Sequence, residues 1–146
     1  MISCDTNILY TAYNASLADH TKAFRFIQEH RIDREFILCE QVLMEFYCLL
    51  RNPALSARAL TPEEAVHVIQ TFRTNPAWRI VDVISHQRER MDRVWQRAAE
   101  RNFAYRKIFD LRLAETLIGH GVTEFATRNL KDFAGCGFKR LFDPCL

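Results

Sequence analysis

The chain has 146 residues, a net charge of +2 and 49% hydrophobic residues, which predicts one globular domain over 1–146 with a substantial core. No apolar run approaches the length of a membrane span, and Asp5 follows the first residue too closely for a secretory signal. We therefore expect a soluble, cytoplasmic protein with no membrane partner. The five cysteines form no C-x-x-C pair, which argues against disulfides and a zinc site. Most of the twenty basic residues are arginine, whose planar side chain matches phosphate.

The first half of the chain alternates predicted strands with predicted helices. Residues 1–4 and 36–39 are short apolar runs next to polar residues, and they predict two buried strands. Apolar residues at helical spacing predict helices over 17–30 and 40–51. A third helix is predicted to start at 61–64, where a capping threonine, a proline and two glutamates follow one another.

The second half repeats this alternation. Residues 78–83 predict a third strand, and 124–127 and 139–142 predict the last two. Between them, helices are predicted over 86–102 and 108–120. Strands that alternate with helices predict a parallel sheet covered on both faces. The face predicted to be buried in the helix 86–102 consists of Met91, Val94, Trp95, Ala98 and Ala99.

Three acids are placed where parallel sheets bind ligands. Asp5 directly follows the first predicted strand, and ligands bind beyond the carboxyl ends of such strands. Glu45 and Asp110 are predicted on or beside the buried faces of their helices, where a carboxylate persists by pairing or by holding a metal. Structural alternatives stay open for all three: a helix cap for Asp5 or Asp110, and an ion pair with Arg51 or Arg112 for Glu45.

A second polar run follows the fourth predicted strand. Thr127, Asn129 and Asp132 supply a hydroxyl, an amide and an acid. In the same way, Thr6 and Asn7 supply a hydroxyl and an amide beside the end of the first strand. Oxygen ligands that converge at one sheet edge suit Mg²⁺ or Mn²⁺, and such ions bind phosphates. The sequence therefore predicts a Mg²⁺ or Mn²⁺ site, although ordinary turn chemistry is an alternative for each threonine.

Taken in chain order, these motifs resemble PIN-domain ribonucleases and are most similar to the VapC-type toxins of prokaryotic toxin–antitoxin systems. The resemblance implies a three-layer α/β/α fold with a central parallel sheet of about five strands in the order 3-2-1-4-5. It also implies a divalent-metal-dependent endoribonuclease, a cognate antitoxin that covers the active site, and a homodimer that pairs through helices of the amino-terminal half. The matching motifs are Asp5-Thr6-Asn7, Glu45 in Val42-Leu43-Met44-Glu45-Phe46-Tyr47, Asp110 in Phe109-Asp110-Leu111-Arg112-Leu113-Ala114, Thr127-Arg128-Asn129, Asp132-Phe133 and Leu141-Phe142-Asp143-Pro144.

By position, the resemblance makes Asp5, Glu45 and Asp110 the catalytic acids and metal ligands. It gives the fourth catalytic place to Asn129, where many family members have aspartate, so Asp132 is the alternative fourth ligand by way of a water molecule. Whether one or two metals bind therefore stays open. The supporting residues are Thr6, Asn7, Thr127 and Asp132.

Basic and aromatic residues before Asp110 are candidates for holding the RNA. Tyr105, Arg106 and Lys107 are predicted to bind substrate, because RNA needs positive charge near a cluster of acids. A second basic stripe, spaced four residues apart on the helix 86–102, is either a further RNA contact or a solvated face with a Glu89–Arg93 pair. Trp95 and Phe103 are predicted to be core residues. The stripe consists of Arg93, Arg97 and Arg101.

Four alternatives also place an acid after a first strand. A haloacid-dehalogenase-type phosphatase needs a second acid two residues later, where this chain has Asn7. A receiver-like phosphoacceptor needs paired acids near the start, whereas only Asp5 and Lys131 fit its pattern. A PIN fold that only binds RNA or protein stays open because of Asn129, and so does a PIN nuclease that processes RNA without an antitoxin.

Overall fold

The structure is a computed structural model that describes residues 1–83 and 86–146. In this part of the chain, five strands of three residues each confirm the five predicted strands, although each is shorter than predicted. The α/β class is likewise confirmed. The strands are β1 (Ile2–Cys4), β2 (Ile37–Cys39), β3 (Arg79–Val81), β4 (Glu124–Ala126) and β5 (Arg140–Phe142).

All strand pairs are parallel, and they form two sheets. One sheet has the order β1-β4-β5 and the other pairs β2 with β3. A single bridge between Ile2 and Phe36, with a hydrogen bond of 3.0 Å from Ile2 N to Glu35 O, connects the two sheets. Because one bridge does not make a continuous ladder, the three-layer fold with one sheet in the order 3-2-1-4-5 stays a prediction.

Seven helices lie in the described part of the chain, and five of them were predicted. The capping box that predicts the start of α4 is present, since the Thr61 hydroxyl accepts a hydrogen bond from Glu64 N and the Glu64 carboxylate accepts one from Thr61 N. Two short helices, α1 and α7, were not predicted. The helices are α1 (Thr6–Tyr13), α2 (His20–Glu29), α3 (Glu40–Leu50), α4 (Pro62–Arg73), α5 (Gln87–Ala98), α6 (Lys107–Gly119) and α7 (Leu130–Phe133).

The core combines strand residues with one face of several helices. On α3 the buried apolar residues are Val42, Leu43, Phe46 and Leu50, whereas Glu45 is exposed. Glu45 therefore lies beside the buried stripe and not within it, because that stripe is rotated toward Leu43. None of the described helices is long and apolar enough to cross a bilayer.

The buried face of α5 is narrower than predicted. Val94 is buried with 1% exposure, but Trp95 is 59% exposed and Ala99 is also exposed. The prediction that Trp95 belongs to the core is wrong, and Phe103 is half-buried. Helix α5 packs mainly on α6, so only one narrow stripe of its surface is covered.

Candidate active site

Asp5 is at once a helix cap and the most buried of the predicted site acids. It follows β1 and precedes α1, and its Oδ1 accepts a hydrogen bond of 2.8 Å from Thr6 N. Its Oδ2 accepts bonds of 2.7 Å from both Asn7 Nδ2 and Thr127 Oγ1. Burial raises the pKa of Asp5 from 3.8 to about 6, although these hydrogen bonds oppose the rise. The cap alternative is confirmed, and it leaves the predicted catalytic role of Asp5 open.

The predicted supporting residues bring the ends of β1 and β4 together. Asn7 Nδ2 lies 3.3 Å from Thr127 Oγ1, and Asn7 Oδ1 accepts a hydrogen bond of 3.2 Å from Arg128 N. Thr127 Oγ1 also accepts one of 2.9 Å from Asn129 N. The two polar runs that the sequence singled out therefore form one hydrogen-bonded network around Asp5.

Glu45 reaches the same network from α3. Its Oε2 accepts a hydrogen bond of 3.0 Å from Thr6 Oγ1, and its Oε1 accepts one of 3.0 Å from Gln41 Nε2. Within the described residues Glu45 makes no ion pair, so the alternative of a pair with Arg51 or Arg112 is wrong. Arg51 binds the Tyr47 hydroxyl instead, and Arg112 binds Gln41 and Asp82.

Asp110 has negative charge around it and little to offset that charge. It is the fourth residue of α6, after the N-cap Arg106, so the alternative of a capping role is wrong. Its side chain is half-buried and makes no hydrogen bond within the described part of the chain. Burial, and then the charges of Asp132, Asp5 and Glu45, raise the pKa of Asp110 from 3.8 to about 6, while Lys107 lowers it.

The two candidates for the fourth position differ in placement. Asn129 is exposed at the N-cap of α7, and its side chain makes no capping hydrogen bond. Asp132 is half-buried in α7, and of all the charges acting on Asp110 that of Asp132 has the largest effect. Both assignments stay predictions, and the effect of Asp132 on the pKa of Asp110 supports Asp132.

The donor set suits a hard divalent cation in its chemistry. Within residues 1–83 and 86–146, no three acidic, histidine or cysteine side chains stand close enough together to enclose an ion. The groups at the strand ends are nevertheless all oxygen donors, which Mg²⁺ and Mn²⁺ prefer. Asp5 and Asp110 both carry raised pKa values, and a cation bound between them would offset the repulsion that contributes to the rise.

The predicted substrate residues lie just before Asp110. Tyr105 is 79% exposed, and the Arg106 guanidinium lies 5.7 Å from the centre of its ring. Lys107 begins α6 and is close enough to Asp110 to lower its pKa. All three are therefore accessible to a ligand at the acidic site.

Two residues of the second basic stripe make contacts within the protein. Arg93 pairs with Glu115 at 3.1 Å, so the predicted pair with Glu89 is replaced by a contact between helices. Arg97 Nη1 lies 3.8 Å from Cys136 Sγ. These contacts reduce the case for the stripe as an RNA contact.

Sequence reasoning missed Gln41 as a contact of Glu45, and it did not predict the exposure of Trp95 and Phe109. Trp95 and Phe109 are 59% and 61% exposed, although large aromatic side chains are usually counted as core. Gln41 lies four residues before Glu45, a spacing that places side chains together on a helix and was the available signal.

Large surface depressions lie away from the acids. One of about 800 Å³ includes Lys22, Arg25 and Arg140, and another of about 790 Å³ is an apolar groove between α2 and α4. Neither is lined by Asp5, Glu45 or Asp110.

The α/β fold with parallel strands, and the acids placed near the carboxyl ends of β1 and β4, fit the PIN-like class that the motifs resemble. A comparison with models of protein families gave no match. Over 144 residues the chain is 45% identical to Ribonuclease VapC24 of Mycobacterium tuberculosis, in each of two strains, covering 99% of this chain and 97% of the relative. The chain belongs to the VapC family of ribonucleases, as its motifs predicted.

Solved structures agree on the fold. The crystal structure of Mycobacterium tuberculosis VapC20, described as a sarcin–ricin loop cleaving toxin, matches with a TM-score of 0.67 at 21% identity, covering 94% of this chain and 96% of that one. FitAcB from Neisseria gonorrhoeae matches with a TM-score of 0.67 at 16% identity, covering 99% and 98%. At these identities the likeness concerns the fold alone.

Proposed function

We propose that the protein is a divalent-metal-dependent endoribonuclease and the toxin of a VapBC-type toxin–antitoxin pair, acting as one domain over 1–146. The observation that carries the proposal is the hydrogen-bonded network at the ends of β1 and β4, in which Thr127 donates to Asp5 and Thr6 donates to Glu45. The half-buried Asp110 lies close enough to these acids for their charges to raise its pKa. Membership in the VapC family supports RNA as the substrate.

The acids differ in how tightly they are held, which suggests different roles. Asp5 is fixed by three donors and forms the rigid base of the site. Glu45 is exposed with one donor on each oxygen, so it is oriented yet open to accept a proton from an attacking water. Tyr105, Arg106 and Lys107 are the residues assigned to holding the RNA, and the two cationic side chains would contact its phosphates.

A Mg²⁺ or Mn²⁺ ion held by Asp5, Asp110 and Glu45 would lower the pKa of water and offset the negative charge of the phosphate. Thr6 and Thr127 keep Glu45 and Asp5 in place by hydrogen bonds. The attacking water oxygen forms the new bond to phosphorus, a ribose oxygen leaves, and no side chain has to act as a nucleophile.

Protein partners are part of the proposal. Family membership supports a cognate antitoxin and a homodimer, and it also supports the predicted strand order 3-2-1-4-5 in one three-layer fold. The five cysteines are free thiols, which fits a reducing cytoplasm. Apolar side chains that could contact a partner are exposed in the first half of the chain: Tyr13, Phe24, Ile32, Met44, Leu55 and Val66.

The test is cleavage of total RNA by the purified protein in Mg²⁺ or Mn²⁺, with EDTA in a parallel reaction. We expect cleavage only with the metal, and none from the Asp110→Asn variant. Equal cleavage in EDTA would refute metal dependence, and RNA binding without cleavage would support the PIN fold as a binding module. A short reading frame directly upstream, encoding a basic DNA-binding segment, would support a toxin, whereas a solitary gene would favour an RNA-processing nuclease.

A further inference from the structure

Gln41 is a buried amide that contacts two of the helices bearing site acids. It lies in the first turn of α3 and is 9% exposed. Its Nε2 donates to Glu45 Oε1 at 3.0 Å and to the backbone carbonyl of Phe109 at 3.1 Å. Its Oε1 accepts a hydrogen bond of 2.9 Å from Arg112 Nη1. Gln41 thereby connects Glu45 to the part of α6 that carries Asp110.

Only an amide in this orientation satisfies all three partners. Glu45 and the Phe109 carbonyl are acceptors, and the Arg112 guanidinium is a donor. In the reversed orientation the Gln41 oxygen would face both acceptors and its NH₂ group would face the guanidinium. A glutamate at this position would have no hydrogen to donate and would add a negative charge next to Glu45.

Glu45 depends on such contacts because it is exposed. A glutamate side chain loses considerable rotamer freedom when it is fixed, and solvent alone does not fix it. Thr6 donates to one carboxylate oxygen at 3.0 Å and Gln41 donates to the other at 3.0 Å. Each oxygen keeps a free lone pair, so the carboxylate is oriented and still available for chemistry.

We propose that Gln41 is a positioning residue: its amide sets the direction of the Glu45 carboxylate and fixes its separation from Asp110. The inference rests on the proposed ribonuclease function and deepens it. Arg112 anchors the amide from the far side and itself lies 3.7 Å from Asp82, directly after β3. The contacts thus extend from the end of β3 through α6 and α3 to Thr6 in α1.

The first arm of the experiment compares kcat with KM in Gln41→Leu and Gln41→Glu. Losses of orienting partners around a metal site typically cost 10–100-fold, so we expect kcat to fall by about 10–100-fold with KM changed by less than about threefold. Gln41→Glu should lose at least as much as Gln41→Leu. Gln70→Leu and Gln70→Glu, on the exposed face of α4, are the matched controls and should behave as wild type.

The second arm does not depend on cleavage. In ¹H–¹⁵N spectra of the metal-free protein, the side-chain NH₂ protons of Gln41 should exchange with solvent more slowly than those of Gln70, because both Gln41 hydrogens are bonded. If Gln41→Leu fails to fold, this exchange measurement carries the test together with the kcat of Gln41→Glu. Arg112→Leu, which leaves both donated bonds in place, should lower kcat less than either Gln41 variant does.

The outcomes separate the two proposals. If wild type cleaves RNA, Asp110→Asn does not, and folded Gln41→Leu retains wild-type kcat, the role of Gln41 is refuted and the function stands. A loss of activity that matches only the loss of folded protein, measured by circular dichroism, also refutes positioning. If wild type does not cleave, the proposed function fails. Exchange from Gln41 as fast as from Gln70 would then refute the inference on its own.

Discussion

Replacing Asp110 by asparagine should abolish RNA cleavage and yet stabilise the metal-free protein at neutral pH. Asp110 makes no hydrogen bond within the described residues, while burial and three neighbouring acids raise its pKa to about 6. An asparagine has nearly the same shape and removes the charge that causes the repulsion. Because loss of even an indirect contact at a metal site typically costs 10–100-fold, we expect loss of Asp110 to cost more than about 100-fold in activity.

The size of the stabilisation follows from the pKa. A rise from 3.8 to about 6 corresponds to at most about 3 kcal/mol. The side chain is only half-buried, so solvent screening reduces the expected gain to about 1 kcal/mol. For a chain of this length, that gain corresponds to a melting temperature higher by about 3 °C.

The pH dependence has a definite sign. Since the folded-state pKa of Asp110 lies above the unfolded value, the folded protein binds the proton more tightly. The destabilisation caused by the ionised carboxylate therefore appears as pH rises from about 4 to about 6. The advantage of Asp110→Asn over wild type should therefore be complete above about pH 7 and absent near pH 4.

Urea unfolding in EDTA at pH 7.5 and pH 4.5 measures this difference. Asp92→Asn, at an exposed position on α5, is the matched control and should change little at either pH. An Asp110→Asn variant less stable than wild type at pH 7.5 would refute the reasoning, because it would mean that the Asp110 carboxylate is a structural contact. Asp5→Asn should show no comparable gain, since it loses hydrogen bonds to Thr6, Asn7 and Thr127.

Two further predictions concern the fourth acid and self-association. Asp132→Asn should raise the metal concentration needed for half-maximal cleavage by about 10–100-fold. Asn129→Asp should tighten metal binding at pH 8 and lose that gain near pH 6; if it changes nothing at either pH while Asp132→Asn removes activity, Asn129 is not a ligand. Sedimentation equilibrium at micromolar concentration should show a dimer, and a 17.2 kDa monomer would contradict this.

Much of the fold follows from local signals in the sequence. The five strands and the five longer helices were predictable because apolar periodicity and caps indicate them. Examples are Thr61, which caps α4, and Gly121, whose φ of 87° suits the residue after the C-cap of α6. Helix α1 was missed because Asp5 to Asn7 were interpreted mainly as site residues, although the alternative of a cap at Asp5 was the signal for it. Local sequence signals do not predict strand order. Within the described residues, one bridge between Ile2 and Phe36 connects the two sheets.

The resemblance predicts a dimer that pairs through helices of the amino-terminal half. Among the apolar residues of these helices, Phe26, Ile27, Phe46 and Leu50 are buried in the core of this chain. Phe24 is 47% exposed and Tyr47 is half-buried. Much of the apolar surface of these helices is therefore used within the chain, and the predicted dimer depends mainly on family membership.

The candidate site residues were predictable as acids that follow a strand or lie beside a buried helix face, but their separate environments were not. Asp5 is buried and has three donors, whereas Glu45 has two donors and is exposed at the edge of the α3 stripe. In both cases exposure or hydrogen bonds offset the cost of the charge. Asp110 and Asp132 are both half-buried, and neither carboxylate accepts a hydrogen bond within the described part of the chain. Burial and the charges of Asp132, Asp5 and Glu45 raise the pKa of Asp110. A cation bound near Asp110 would offset that repulsion, and the asparagine substitution tests this position directly.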